Sequence, residues 1–157
     1  MNRIILSLLF LAFIVGGISE NSKAQCKQQV VYQCATNIDK AIYLRDFNTK
    51  LRKGRSGQPS GMKWAVVLNK GTHYRFTLCA QSGFEKSVVL TLFDAKHPEK
   101  TNPYQVTKYT GNKKTSNRFD FICNKSGTYY ISIRFKEGME AKKSCAVGIL
   151  AFVGKNK

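Results

Sequence analysis

The sequence predicts an all-β protein: an antiparallel β-sandwich or jelly roll of seven to eight strands, preceded by a short N-terminal helix. Three observations carry this. Several short runs alternate apolar and polar residues with the two-residue period of a half-buried strand. Gly-containing turns separate them, and the intervals between them are short. The clearest case is NRFDFICNKSGTYYISIRF, Asn117 to Phe135. Phe119, Phe121 and Cys123 alternate with Arg118, Asp120 and Ile122; Asn124 to Gly127 reads as a turn; Tyr129, Ile131, Ile133 and Phe135 form one face of the return. This pattern predicts a β-hairpin, with the final apolar run, Ala146 to Val153, beside it.

Taken from the start, Asn2-Arg3 is a short basic opening and Ile4 to Val15 is almost wholly apolar. Ser22-Lys23-Ala24 then places small residues where a signal peptidase reads them. Residues 1–24 are therefore expected to be a secretory signal peptide, removed after Ala24, leaving 25–157 as a single domain. The apolar run is short for a bilayer span, which takes roughly 20 residues. The residues before Cys26 lack the Leu and the adjacent small residue of a lipidation site. The chain is expected to be exported, to the periplasm or beyond, with no transmembrane segment once the leader is gone.

Charge is the strongest compositional signal. The net charge is +17, and loss of the leader lowers it by one. Such an excess favours acidic partners: an acidic glycan, lipopolysaccharide or an envelope protein. Nucleic acid is disfavoured by export. The interleaving of basic and aromatic residues, as in Tyr74-Arg75-Phe76, sends the two types to opposite faces of a strand, making core and surface rather than a base-stacking platform.

Within Cys26 to Lys40, Val30, Val31, Cys34, Ala35 and Ile38 recur at helical spacing and predict a short amphipathic helix; a strand over Gln29–Cys34 is the alternative. Ile42 to Leu51 reads as a strand. Lys50 to Lys63 holds three Gly, one Pro and several basic residues, and reads as an exposed loop. Its Lys50, Arg52, Lys53 and Arg55 are candidate contacts for an anionic ligand, with Lys113 and Lys114 as a second cluster. Lys63–Leu68 and Thr72–Cys79 are expected to form a second hairpin around Asn69-Lys70-Gly71. Ser87 to Phe93 is nearly continuous in apolar residues, so it belongs at the centre of a sheet. Asp94 to Pro103 is loop, Tyr104 to Tyr109 a weaker strand, and Lys136 to Ser144 a charged loop. The expected core comprises Tyr74, Phe76, Leu78, Val89, Leu90, Leu92, Phe119, Phe121, Tyr129, Ile131, Ile133 and Leu150.

The order YRFTL (74–78), SVVLTLFD (87–94), RFDF (118–121) and SGTYYISI (126–133) resembles the bacterial pre-peptidase C-terminal (PPC) domain, over roughly residues 63–153. The N-terminal Cys pair and the CAVGIL run also resemble small exported Bacteroidetes-type proteins of unknown function. The resemblance implies a non-catalytic jelly-roll accessory module. Many such domains bind calcium, but here the nine acidic residues are scattered, and calcium prefers roughly 6–8 oxygens. No calcium site or other cofactor is expected.

Catalytic chemistry finds little support. His73 and His97 are the only histidines. Cys79 and His73 share a strand face but stand about 20 Å apart along it. There is no C-x-x-C, no close histidine pair and no Gly-rich phosphate loop. A non-enzymatic binding or accessory module is therefore the expected function, with a cationic membrane-active effector or toxin as the alternative and an enzyme third.

Export makes disulfides expected among the five cysteines. Cys26 and Cys34 are eight apart, about 12 Å along a helix, too far to bond to each other. If successive strands simply alternate direction, Cys79 and Cys145 share one end of the sandwich and Cys34 and Cys123 the other. That parity predicts Cys34–Cys123 and Cys79–Cys145, with Cys26 unpaired or available to another chain.

Overall fold

The computed structural model describes residues 26, 28–52, 61–107, 117–138 and 143–155. The expected leader, Lys53, Arg55, Lys113 and Lys114 lie outside these residues. Helix α1 (Gln28–Ala35) and a 3-10 turn (Thr36–Ile38) precede eight strands: β1 (Ile42–Arg52), β2 (Gly61–Leu68), β3 (Thr72–Ala80), β4 (Val88–Phe93), β5 (Gln105–Val106), β6 (Asn117–Ile122), β7 (Gly127–Phe135) and β8 (Lys143–Lys155). They form two four-stranded antiparallel sheets, ordered β1-β8-β3-β6 and β2-β7-β4-β5. The predicted sandwich with a short helix is the observed fold.

Neither predicted hairpin forms. β6 pairs with β3, His73 opposite Ile122, whereas β7 pairs with β2 and β4 in the other sheet. β2 and β3 are likewise split between the sheets. Alternation reports that a strand buries one face, and strands in either sheet of a sandwich bury one face equally well. Each short connection instead turns a corner between the layers. The two corners lie side by side, tied by the Lys70 N–H donating to Ser126 Oγ at 2.8 Å.

β8 lies between β1 and β3 rather than beside β7. Its run CAVGILAF is apolar throughout because both faces are covered. Ala146 and Leu150 point into the sandwich, while Val147, Ile149 and Ala151 form a second core with Cys34 and Ile38 of the helical segment. The main core holds the expected residues of β3, β7 and β8 and, from β4, Leu90 and Leu92; Val89 is buried but faces the other way, and Val88 takes the inward place. Phe119 and Phe121 are only half buried, since β6 is an edge strand.

Both predicted disulfide pairs are corrected. The bonds join Cys26 to Cys145 and Cys34 to Cys79, with Cα separations of 5.5 and 5.6 Å; Cys123 is a buried free thiol. Cys79 and Cys145 do share one end, because Cys79 stands opposite Val147. The error lay in Cys34. The chain does not pass straight from α1 into β1. It runs through the 3-10 turn along the outer face, where the Ile38 carbonyl accepts from Arg75 at 3.3 Å, and β1 begins only at Ile42, opposite Phe152. α1 thus lies across the strands at the Cys79 and Cys145 end. Its bonds anchor it to the adjacent strands β8 and β3, and Cys26 also lies against Asn48 and Thr49 of β1.

Candidate functional site

The outer face of the second sheet carries the candidate site. Ser132 and Arg134 of β7 alternate outward between core residues Ile131, Ile133 and Phe135, and Val89, Thr91 and Phe93 do so on β4. All three outward β4 residues are nonetheless buried, because the segment after β4 folds back over them. Asp94 sets that fold-back. Its Oδ1 accepts the backbone N–H groups of Lys96 and His97 at 2.8 Å and lies 2.9 Å from His97 Nδ1, and its Oδ2 accepts the Tyr104 hydroxyl at 3.0 Å. Burial opposes ionisation of Asp94, but these donors outweigh it and hold the carboxyl below its usual range. Burial and the Asp94 carboxylate push the Tyr104 phenol up.

The fold-back delivers Glu99 to the sheet, its side chain only 6% exposed. It accepts from Arg134 Nε at 2.9 Å and meets Lys63 Nζ of β2 at 3.2 Å. Burial would raise its pKa, but hydrogen bonds from Ser132, Lys63 and Arg134 prevail and lower it. Glu99 is therefore a charged buried group with its partners in place, as buried ions require.

Two clefts open around this cluster. One, of about 550 Å³, is lined by Val89, Lys100, Val106, Thr107, Arg134, Lys136 and Glu137. The other, of about 160 Å³, is lined by Gly61, Lys63, Glu99, Lys100, Ser132, Arg134 and Glu137. They share Lys100, Arg134 and Glu137. Four cationic side chains thus face two carboxylates, so the double cleft carries an excess of positive charge.

Of the residues chosen from sequence, Lys53, Arg55, Lys113 and Lys114 lie outside the described residues. Lys50 and Arg52 end β1 in the other sheet, opposite Cys145 and Lys143, and both side chains have interaction partners. Lys63, Lys100, Arg134 and Lys136 were missed as a group because they come from three distant segments. Only the outward parity of Arg134 hinted at the site.

Each histidine does sit beside an acid. His97 pairs with Asp94, and His73 Nε2 lies 3.2 Å from Asp120 Oδ2 on the outer face of the first sheet. There the Arg75 guanidinium forks onto Asp120 at 2.7 and 2.8 Å, holding its carboxyl low, and with Arg118 also pairs Asp39. Neither histidine lines either cleft, and Cys79 is bonded to Cys34. Among the described residues no His, Cys, Asp or Glu group is placed to hold a metal ion. Among them, too, no helix is long and apolar enough to cross a membrane.

The fold and cleft define a small all-β sandwich with a basic groove on one sheet. No family model matches the chain, and no curated protein matches it in sequence. Among solved structures it is similar to PliG of Aeromonas hydrophila, a periplasmic inhibitor of g-type lysozyme. The TM-score is 0.54 at 8% identity, covering 71% of this chain and 88% of PliG. At that identity the likeness concerns the fold.

Proposed function

We propose that the chain is an exported, non-enzymatic binding module for an acidic component of the cell envelope or an acidic partner protein. The carrying observation is the double cleft, where Lys63, Lys100, Arg134 and Lys136 outnumber the carboxylates of Glu99 and Glu137. A net charge of +17 adds long-range attraction toward the same class of partner. The similar PliG fold serves a periplasmic protein that acts by binding another macromolecule, which supports a binding role on this scaffold. Membership of the PPC group, with its accessory role, is part of the same proposal.

Pull-down of the purified protein on anionic envelope fractions tests this. Retention is expected at low ionic strength and is weakened by salt as surface charges are screened. Absence of salt-sensitive retention on any glycan, lipopolysaccharide or protein fraction overturns the reading.

A further inference from the structure

We infer that the double cleft binds consecutive acidic sugars of a carboxylated polysaccharide, a polymer with one carboxylate per residue. The inference rests on the binding-module reading above and adds a site and a ligand class to it.

Three observations point this way. The first is local charge. Arg134 and Lys63 converge on the buried Glu99, which leaves one excess positive charge in the smaller cleft. Lys100 and Lys136 oppose the carboxylate of Glu137 in the larger cleft, which Arg134 also lines. Among the described residues neither Lys100 nor Lys136 forms an ion pair. Taken together the two linings hold four cations and two carboxylates, two positive charges in excess, which matches successive monoanionic groups. The rim carboxylate of Glu137 acts against a dianionic phosphate.

The second observation is shape. Ser132, Arg134 and Lys136 stand at alternate positions on one face along β7 and just beyond it, with successive side chains about 7 Å apart. The two clefts lie along this line and share Lys100, Arg134 and Glu137 in their walls. The result is a groove for an extended chain rather than a closed pocket for a small molecule.

The third observation is chemistry. The larger recess has apolar flooring from Val89 and Val106 beside the hydroxyl of Thr107. Apolar surface with a few polar groups suits a sugar ring, which presents C–H faces and hydroxyls together. The Arg134 guanidinium is already directed at Glu99 through Nε and at the Phe135 carbonyl through Nη1. The outer cations are therefore lysines, point charges that attract a carboxylate without demanding a two-pronged geometry.

Calorimetric titration of the full-length protein, disulfides intact, tests the inference with four probes of matched length: oligogalacturonate, neutral dextran, dextran sulfate and lipopolysaccharide. Oligogalacturonate is expected to bind and neutral dextran not to bind. The double substitution Lys100→Gln/Lys136→Gln should weaken oligogalacturonate by about tenfold or more, the usual scale for losing charge-assisted contacts. Lys50→Gln/Arg52→Gln, on the other sheet, should leave it unchanged. Both variants should keep the parent's melting temperature, which establishes that the cleft variant remains folded.

Undiminished oligogalacturonate binding in the Lys100/Lys136 variant overturns the assigned site while leaving a binding module. Tighter binding of lipopolysaccharide or dextran sulfate, lost in that variant, overturns the carboxylate class. Failure of every polyanion overturns this inference, and the reading on which it rests falls with it only if the envelope-fraction pull-down also shows no salt-sensitive retention.

Discussion

Arg134 donates from Nε to Glu99 Oε1 across 2.9 Å, and this contact joins the segment after β4 to the outer face of β7. Lys63 completes the clamp from β2, so one buried carboxylate holds three parts of the chain together. Glu99→Gln should destabilise the protein by about 3 kcal/mol, the scale for breaking a buried pair and stranding its partner. Denaturant unfolding measures this, and a loss below about 0.5 kcal/mol would place the pair in the class of exposed ion pairs.

The same carboxyl predicts a pH dependence. Its folded-state pKa is lowered, so the contribution is fully present above the unfolded value, about 4.3 for Glu, and is lost as pH falls through the folded value. Asp94 and Asp120 are lowered too and add in the same direction. Stability should therefore fall from about pH 4 downward. The difference between the parent protein and Glu99→Gln should narrow over that range. A difference independent of pH would show that the Glu99 carboxylate is not what the clamp recognises.

The helix is fixed by both disulfides, Cys26 to Cys145 of β8 and Cys34 to Cys79 of β3, closing separations of 119 and 45 residues. The loop-entropy account assigns about 5 and about 4 kcal/mol to such closures. Non-reducing peptide mapping should recover these two linkages and no other. Cys34→Ser/Cys79→Ser should lower the unfolding free energy by about 2–5 kcal/mol while far-UV circular dichroism stays β-rich, since the main core lies on the other face of the sheet.

Gly148 sits mid-strand in β8, where a Cβ would stand 2.8 Å from Leu90 Cδ1 and 2.9 Å from Ile133 Cδ1. Both belong to the facing sheet and are fully buried, so neither can move into solvent. The glycine lets the two layers approach. Gly148→Ala should cost about 1–3 kcal/mol by overpacking, whereas Gly154→Ala, which meets nothing within 4 Å, should cost far less. Equal melting temperatures for the two variants would refute the close approach.

What was legible in the sequence follows a physical division. Alternation at Tyr129, Ile131 and Ile133, and continuity through Val88 to Phe93, report burial directly, so strands and core were readable. Which sheet a strand joins depends on the direction of a four-residue turn, and Asn124 to Gly127 suits a sandwich corner as well as a hairpin. The Cys34 error has the same origin: parity counts strands but does not register that Thr36–Ala41 retraces the face of the sheet. The clefts were illegible because Lys63, Lys100 and Lys136 converge only after Asp94 turns the chain back. Lys50 and Arg52 stood out because they are close in sequence, and they end β1 in the other sheet.

Cys123 offers a sharp test of the corner that separates β6 from β7. Its thiol is fully buried, 3.1 Å from the Lys125 carbonyl that also accepts the Tyr129 hydroxyl at 2.9 Å. Its backbone continues the pairing with β3, donating to the Thr72 carbonyl at 3.0 Å and accepting from Gly71 at 2.8 Å. Burial, then the neighbouring thiol, push the Tyr129 phenol up, as befits a group sealed from water. A thiol reagent must reach the sulfur, and the native fold leaves Cys123 with no exposed surface. Thiol reagents should therefore leave the native protein unmodified and label Cys123 at a rate that follows global unfolding across a denaturant series. Cys123→Ala should remove the reaction and cost about 1 kcal/mol for one weak hydrogen bond, with both disulfides retained. Rapid labelling without denaturant would mean that the corner opens independently of the core. Absence of any free thiol after unfolding would restore a bond from Cys123 and dismantle the pairing that fixes α1 to the sheet.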